Sequence, residues 1–206
     1  MINPIKGKYE KIEKYYLPRL ECNTEDYLML GWENKDAQFK RFSVLNEIID
    51  NNMTILDVGC GLGNLLDYFD SANHHVYYTG IDIISKMISI AGQKKPHGDF
   101  RVVDIFKNTI FTHRKFDIVY SSGIFNIDLG NNDDFLNSAI SKFDELSEKY
   151  IVFNLLHKRS INKEAGYYYC DPDKIHSLIV NHDIPHKRIK IIDDYLTNDF
   201  TVIIFK

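Results

Sequence analysis

The 206-residue sequence is short of several things, and each shortage excludes a class of protein. It has three cysteines, Cys22, Cys60 and Cys170, an odd number at wide spacing that suits neither a disulfide framework nor a CxxC metal site. A reducing, cytoplasmic setting is the resulting expectation. Positive charge is in deficit, with 25 Lys and Arg against 29 Asp and Glu, a net charge of −4. The field that would neutralise a run of phosphates is therefore missing, and nucleic acid is not expected as a partner. No apolar run approaches the roughly 18 residues that span a bilayer, so no membrane association is expected. His182 and His186 have i,i+4 spacing, but Pro185 interrupts the helix that a zinc pair requires, and no metal is expected.

What is present is an ordinary globular composition, 44% hydrophobic and 26% charged, arranged as alternating strand and helix signals. Phe39, Phe42, Val44, Leu45, Ile48 and Ile49 recur mostly at three- and four-residue spacing and predict a helix over 36–50. An apolar strand over 53–58 follows, then a glycine cluster and a helix over 62–70. The alternation continues with strand 76–81, helix 85–93, strands 100–105 and 116–121, helix 133–148 and strand 150–154. Asp171-Pro172 reads as a helix start for 173–181, and 188–193 with 200–205 reads as a closing hairpin. The expected fold is an α/β, Rossmann-like open sheet of about seven strands, mostly parallel with an antiparallel C-terminal hairpin and helices on both faces. The expected organisation is a single domain over 1–206, with 1–35 as an N-terminal helical or lid extension.

The most informative stretch is Asp57-Val58-Gly59-Cys60-Gly61-Leu62-Gly63. A glycine turn between a strand and a helix lets the backbone approach a ligand where a Cβ would collide. Dinucleotide sites use G-x-G-x-x-G, but the third glycine here is Gly63 and position 64 is Asn. An acid two residues before the first glycine would repel a pyrophosphate and suits the cationic end of a sulfonium amino acid, so Asp57 favours S-adenosylmethionine over NAD. Asp82, nineteen residues after Gly63 at a predicted strand end, is placed for the ribose hydroxyls. Asp104 is placed for the adenine amino group, with Ile83 and Ile105 sandwiching the ring.

In these segments, with Gly80-Ile81-Asp82 and Phe116-Asp117-Ile118-Val119, the sequence resembles the class I S-adenosylmethionine-dependent methyltransferases, closely over 54–128 and more loosely beyond. The resemblance implies a seven-stranded sheet with its last strand antiparallel, S-adenosylmethionine as cofactor and S-adenosylhomocysteine as product. It also implies an arginine near Arg41 reaching the methionine carboxylate, with Gln38 on the same helical face; a solvated Arg41 is the competing reading. The expected cofactor set is Asp57, Gly59, Cys60, Gly61, Gly63, Asp82, Ile83, Asp104, Ile105 and Ser121, together with Gln38 and Arg41. Asp117 is expected to serve its strand rather than the cofactor.

For the acceptor, the Pro-Pro-aromatic motif of many amino methylases is missing after Tyr120, where Ser121-Ser122-Gly123-Ile124-Phe125-Asn126 stands instead. The expectation is a small molecule methylated on oxygen: a hydroxyl, a carboxylate or a phosphorylated sugar. The alternatives are a small-molecule N-methyltransferase or a non-catalytic cofactor-binding module. The segments 122–128, 156–169 and 193–198 lie past predicted strand ends. His157 is the candidate general base, and Trp32, Phe125, Lys158, Arg159 and Tyr168 are the candidate acceptor contacts. For Trp32, packing at the core edge competes with a lid role, and 167–169 reads equally as an edge strand.

Overall fold

The computed structural model describes residues 4–22, 24–107, 111, 114–181 and 188–206, so the His182/His186 pair lies outside the described residues. The chain opens with α1 (Tyr9–Tyr16), α2 (Asp26–Met29) and α3 (Lys35–Ser43), then β1 (Thr54–Val58), α4 (Asn64–Ser71), β2 (Tyr77–Asp82), α5 (Ser85–Lys94) and β3 (Asp99–Val102). It continues through β4 (Phe116–Ser121), α6 (Asn132–Leu146), β5 (Ser147–His157), β6 (Tyr169–Cys170), α7 (Pro172–Asn181), β7 (Arg188–Ile192) and β8 (Asp199–Phe205). The sheet order is β3-β2-β1-β4-β5-β8-β7, with the short β6 paired to β5. β8 runs antiparallel to both β5 and β7, as the expected hairpin requires, while the pairs from β3 to β5 are parallel.

Alternation along each strand divides the apolar side chains between two faces. Leu56, Val119, Phe153 and Val202 enter one core with Phe135, Ile140 and Phe143 of α6 and Ile175 of α7. Ile55, Ile118, Val152 and Ile203 enter the other with Phe42, Leu45, and Leu65 and Phe69 of α4. The central strands are thus buried on both sides, which is why they read as continuous apolar runs.

Three boundaries differ from expectation, each for a local reason. The helix predicted over 36–50 starts where the Asn34 side chain caps the Ala37 N–H at 2.7 Å, but after Ser43 it tightens into a 3-10 turn, with Ile48 N–H bonding Leu45 at i−3. The strand predicted over 100–105 ends at Val102, because the Asp104 carboxylate takes the Phe106 N–H at 2.9 Å and folds the chain into a turn. β5 begins at Ser147, directly after α6, and runs eleven residues because β8 pairs with it from Tyr150 to Leu156.

Candidate active site

The parallel half of the sheet sets three carboxylates side by side. Asp57 is the penultimate residue of β1, opposite Gly80, Asp82 closes β2, and Asp104 follows β3, the next strand outward. All three line one cavity beyond the strand ends, together with Gly59, Cys60, Gly61, Ile83 and Ile105. The strand-to-helix turn opens with Gly59 and Cys60 both donating their N–H to the Ile81 carbonyl, at 2.8 and 3.0 Å. Gly59 sits at φ +75°, and a Cβ there would fall 2.1 Å from the Ile124 side chain, so only glycine serves at this position.

Each carboxylate is already partly anchored. Asp57 is buried and accepts the Tyr78 hydroxyl at 2.7 Å; burial pushes its pKa up to about 7, opposed by Tyr78 and reinforced by Asp82. Asp82 accepts the Gly61 N–H at 3.1 Å and the Ile84 N–H at 2.9 Å, tying the glycine turn to the start of α5, while burial raises its pKa. The Tyr9 hydroxyl donates to Asp104 at 2.5 Å, so α1 reaches across to the third strand end. Carboxylate oxygens carry two lone pairs each, which leaves all three groups able to bond a ligand as well.

Further polar atoms face the same cavity. Asn64 donates to Gln38 at 3.0 Å, yet its own Oδ1 is buried without a partner. The Asn126 Oδ1 and Ser122 Oγ are equally unpartnered, and the Tyr120 hydroxyl faces Ser122 without reaching hydrogen-bond geometry. Buried polar atoms rarely stay unsatisfied in a finished site, so their clustering here fits a polar ligand. Trp32 also lines the cavity; Gly123, at φ +92°, lies under its ring, where a Cβ would come within 3.0 Å.

Several expected site residues are placed elsewhere. Arg41 is neither solvated nor on the cavity wall. It is buried, ion-paired with Asp199, bonded to the Ala37 carbonyl at 2.8 Å and stacked over Trp32 at 4.4 Å. β8 supplies the counter-charge that a buried guanidinium requires, while the Arg41 Nε is buried without a hydrogen-bond partner. Ser121 donates to the Val58 carbonyl at 2.8 Å and is wholly buried between strands. Phe125 packs in the core against Phe135 and Phe153. Gly63 is left-handed at the start of α4 and is not among the lining residues.

The candidate base is also misplaced. His157 lies off the cavity, where its Nδ1 accepts the Arg159 N–H at 3.0 Å and its ring packs edge-on to Phe200. Burial and the Arg159 cation lower its pKa, with Asp193 opposing them. Arg159 binds Asp193 at 2.9 Å and the carbonyl of Thr197, bracing the β7–β8 connection, and Lys158 faces Asp171 at 3.7 Å. Tyr168 bonds Asp133 at 2.5 Å, while its neighbour Tyr167 is the one that reaches the cavity. Of the three expected acceptor segments, 122–128 supplies Ser122, Gly123, Ile124, Asn126 and Ile127 to the wall, 156–169 supplies Tyr167 alone, and 193–198 supplies none among the described residues. Asp117 bonds Thr54 and Lys149, a strand-end role as expected.

Sequence pattern alone does not single out Tyr9, Tyr15, Asn64 or Tyr78, while Tyr167 and Asn126 fall in segments expected near the acceptor. Tyr9, Ile12 and Tyr16 stand at i, i+3 and i+7, a helical spacing that signals an apolar face on α1. Nothing local to Tyr78 marks it, because its partner, Asp57, comes from another strand.

The family description "Methyltransferase domain" matches residues 49–189. The Mycobacterium tuberculosis protein named "Putative methyltransferase Rv1506c" is 27% identical over 162 residues, covering 74% of this chain and 93% of that one. Magnesium protoporphyrin IX methyltransferase from Synechocystis PCC 6803, solved with bound S-adenosylmethionine, superposes with a TM-score of 0.65 at 14% identity over 100% of this chain and 98% of that one. The N-methyltransferase NodS from Bradyrhizobium japonicum WM9, solved with S-adenosylhomocysteine, gives 0.64 at 15% identity over 100% and 99%. The fold and the carboxylate-lined cleft define a class I methyltransferase. The chain belongs to this methyltransferase family, whose methyl donor is S-adenosylmethionine.

Proposed function

We propose that the chain transfers a methyl group to an oxygen atom of a small molecule, with residues 1–35 forming a lid over the reacting groups. The carrying observation is the row of carboxylates, Asp57, Asp82 and Asp104, at three adjacent strand ends around one cavity. When bound, S-adenosylmethionine supplies a methyl carbon made electrophilic by its sulfonium. In this reading Asp57 faces the cationic amino-acid end and Asp82 accepts from the ribose hydroxyls. Asp104 accepts from the adenine amino group between Ile83 and Ile105, and Gln38 and Asn64 bond the amino-acid end. Ile5, Ile12, Tyr15 and Tyr16 from the lid segment line the cavity and exclude water from it.

The oxygen assignment rests on the Pro-Pro-aromatic motif missing after Tyr120, and what can take a proton in the cavity restricts which oxygen it is. Among the described lining residues there is no histidine, and burial holds the Tyr16 and Tyr167 hydroxyls well above their ordinary pKa. An oxygen acidic enough to arrive ionised needs no base, and the chain's work is then to align it with the methyl carbon. The net charge of −4 supports a small acceptor over a nucleic acid.

Calorimetry on the full chain tests the donor site: S-adenosylhomocysteine binds and NAD does not, and NAD binding without a response to S-adenosylhomocysteine overturns the reading. Asp82→Ala weakens that binding by about 1.5–3 kcal/mol with the far-ultraviolet dichroism unchanged. An unchanged affinity would take Asp82 off the ribose. Release of S-adenosylhomocysteine on incubation with pooled small metabolites tests turnover, and a product methylated on nitrogen refutes the oxygen assignment.

A further inference from the structure

A second concavity adjoins the cavity and shares part of its wall. It is lined by Lys11, Lys14 and Arg19 with Tyr15, Ile127 and Tyr167, and the last three also line the main cavity. The partition between the two is thin: the Tyr15 and Tyr167 hydroxyls bond at 2.6 Å. Arg19 stands over the Tyr15 ring, 3.8 Å from its centroid, and donates to the Tyr15 carbonyl. Lys11 donates to the Asp128 carbonyl, and Lys11 and Lys14 are exposed.

Many cations on the surface stand against an acid. Lys158 and Arg159 face Asp171 and Asp193, and Lys86, Lys94 and Lys174 all face acids. None of Lys11, Lys14 and Arg19 forms an ion pair among the described residues. The acids close by are Glu10 and Glu13 on α1 itself, Asp128, whose carbonyl Lys11 binds, and Glu164, whose charge acts on Tyr167. In a chain of net charge −4, the three cations line a concavity that shares Tyr15, Ile127 and Tyr167 with the reaction cavity, a setting that favours an anion.

We infer that the acceptor carries, besides the oxygen that receives the methyl group, a second oxyanionic group, a carboxylate or a phosphate ester, held at Lys11, Lys14 and Arg19. Its apolar body lies against Ile127 and passes between Tyr15 and Tyr167, whose hydrogen bond opens to admit it. This rests on the methyltransferase reading and replaces Lys158 and Arg159 as the anion contacts.

The test titrates the full chain, preloaded with S-adenosylhomocysteine, with 4-hydroxybenzoate and with its neutral partner 4-hydroxybenzamide. The benzoate binds about three- to tenfold more tightly, the range for one or two exposed charge contacts. The preference shrinks in about 0.5 M salt, where such contacts are screened. The Lys11→Gln/Lys14→Gln variant loses the preference and keeps its affinity for S-adenosylhomocysteine. Arg19→Gln is made separately, with thermal melting, because Arg19 also holds Tyr15. Tighter binding of 4-hydroxyphenyl phosphate than of the benzoate assigns the head group to a phosphate ester, and the reverse order assigns it to a carboxylate. No binding of the benzoate, equal affinity for the amide, or a preference that survives the double variant overturns the inference. Failure of S-adenosylhomocysteine to bind at all would overturn the donor reading instead.

Discussion

Asp57 is the group whose chemistry can be read most directly in solution. Its pKa in the ligand-free fold is about 7, against an ordinary 3.8, because burial penalises the charge more than Tyr78 relieves it. A cationic ligand end beside it favours the carboxylate, so the ligand binds the ionised form and binding expels a proton below neutrality. The sign follows: apparent affinity falls as pH drops through 7. With a ligand-free pKa of about 7, the ionised fraction at pH 6 is about a tenth of that at pH 8, so Kd for S-adenosylhomocysteine rises about tenfold. Calorimetry at pH 6 in two buffers of different ionisation enthalpy should register release of close to one proton per ligand. Asp57→Asn should bind more weakly at pH 8 by about 1.5–3 kcal/mol, the range for a hydrogen bond to a charged group, and should lose the pH dependence. A Kd independent of pH, or proton uptake on binding, would refute this account of Asp57. A pH dependence that persists in Asp57→Asn would move the titration to Asp82, whose pKa burial also raises.

Two further outcomes follow from residues that the structure reassigns. Asp199→Ala leaves Arg41 buried without its counter-charge and should cost about 3–5 kcal/mol in urea unfolding, whereas Arg41→Met with Asp199→Leu should recover most of it; a single-variant loss under about 1 kcal/mol contradicts the buried pair. His157→Ala should leave turnover within about threefold, since a general base would cost about 10²–10⁴-fold, and a hundredfold drop with cofactor affinity intact would return His157 to the mechanism.

The row of carboxylates was legible because it is carried by short segments whose geometry is local. A strand, a glycine turn and a helix place Asp57 and Gly59 wherever they occur, and the parallel alternation brings Asp82 and Asp104 to neighbouring strand ends. The surroundings of that row were not legible, for the complementary reason. Arg41 was weighed between cofactor and solvent, but Asp199 lies 158 positions away in sequence, and only the insertion of β8 beside β5 brings it close. His157 is the last residue of β5, and Arg159 and the β7–β8 connection hold its ring away from the cavity. One residue of register separates Tyr167, on the wall, from Tyr168, on Asp133.

Local pattern was enough for the alternating α/β architecture, the terminal hairpin and the three carboxylates at adjacent strand ends, because hydrophobic periodicity and turn glycines act over a few residues. Only the tertiary structure decided which side chains close the cleft around them. α1 swings Tyr9 onto Asp104 and Tyr15 onto Tyr167, contacts 95 and 152 residues apart in sequence. Pairings of that range are set by how helices pack on the sheet, and no local pattern encodes them.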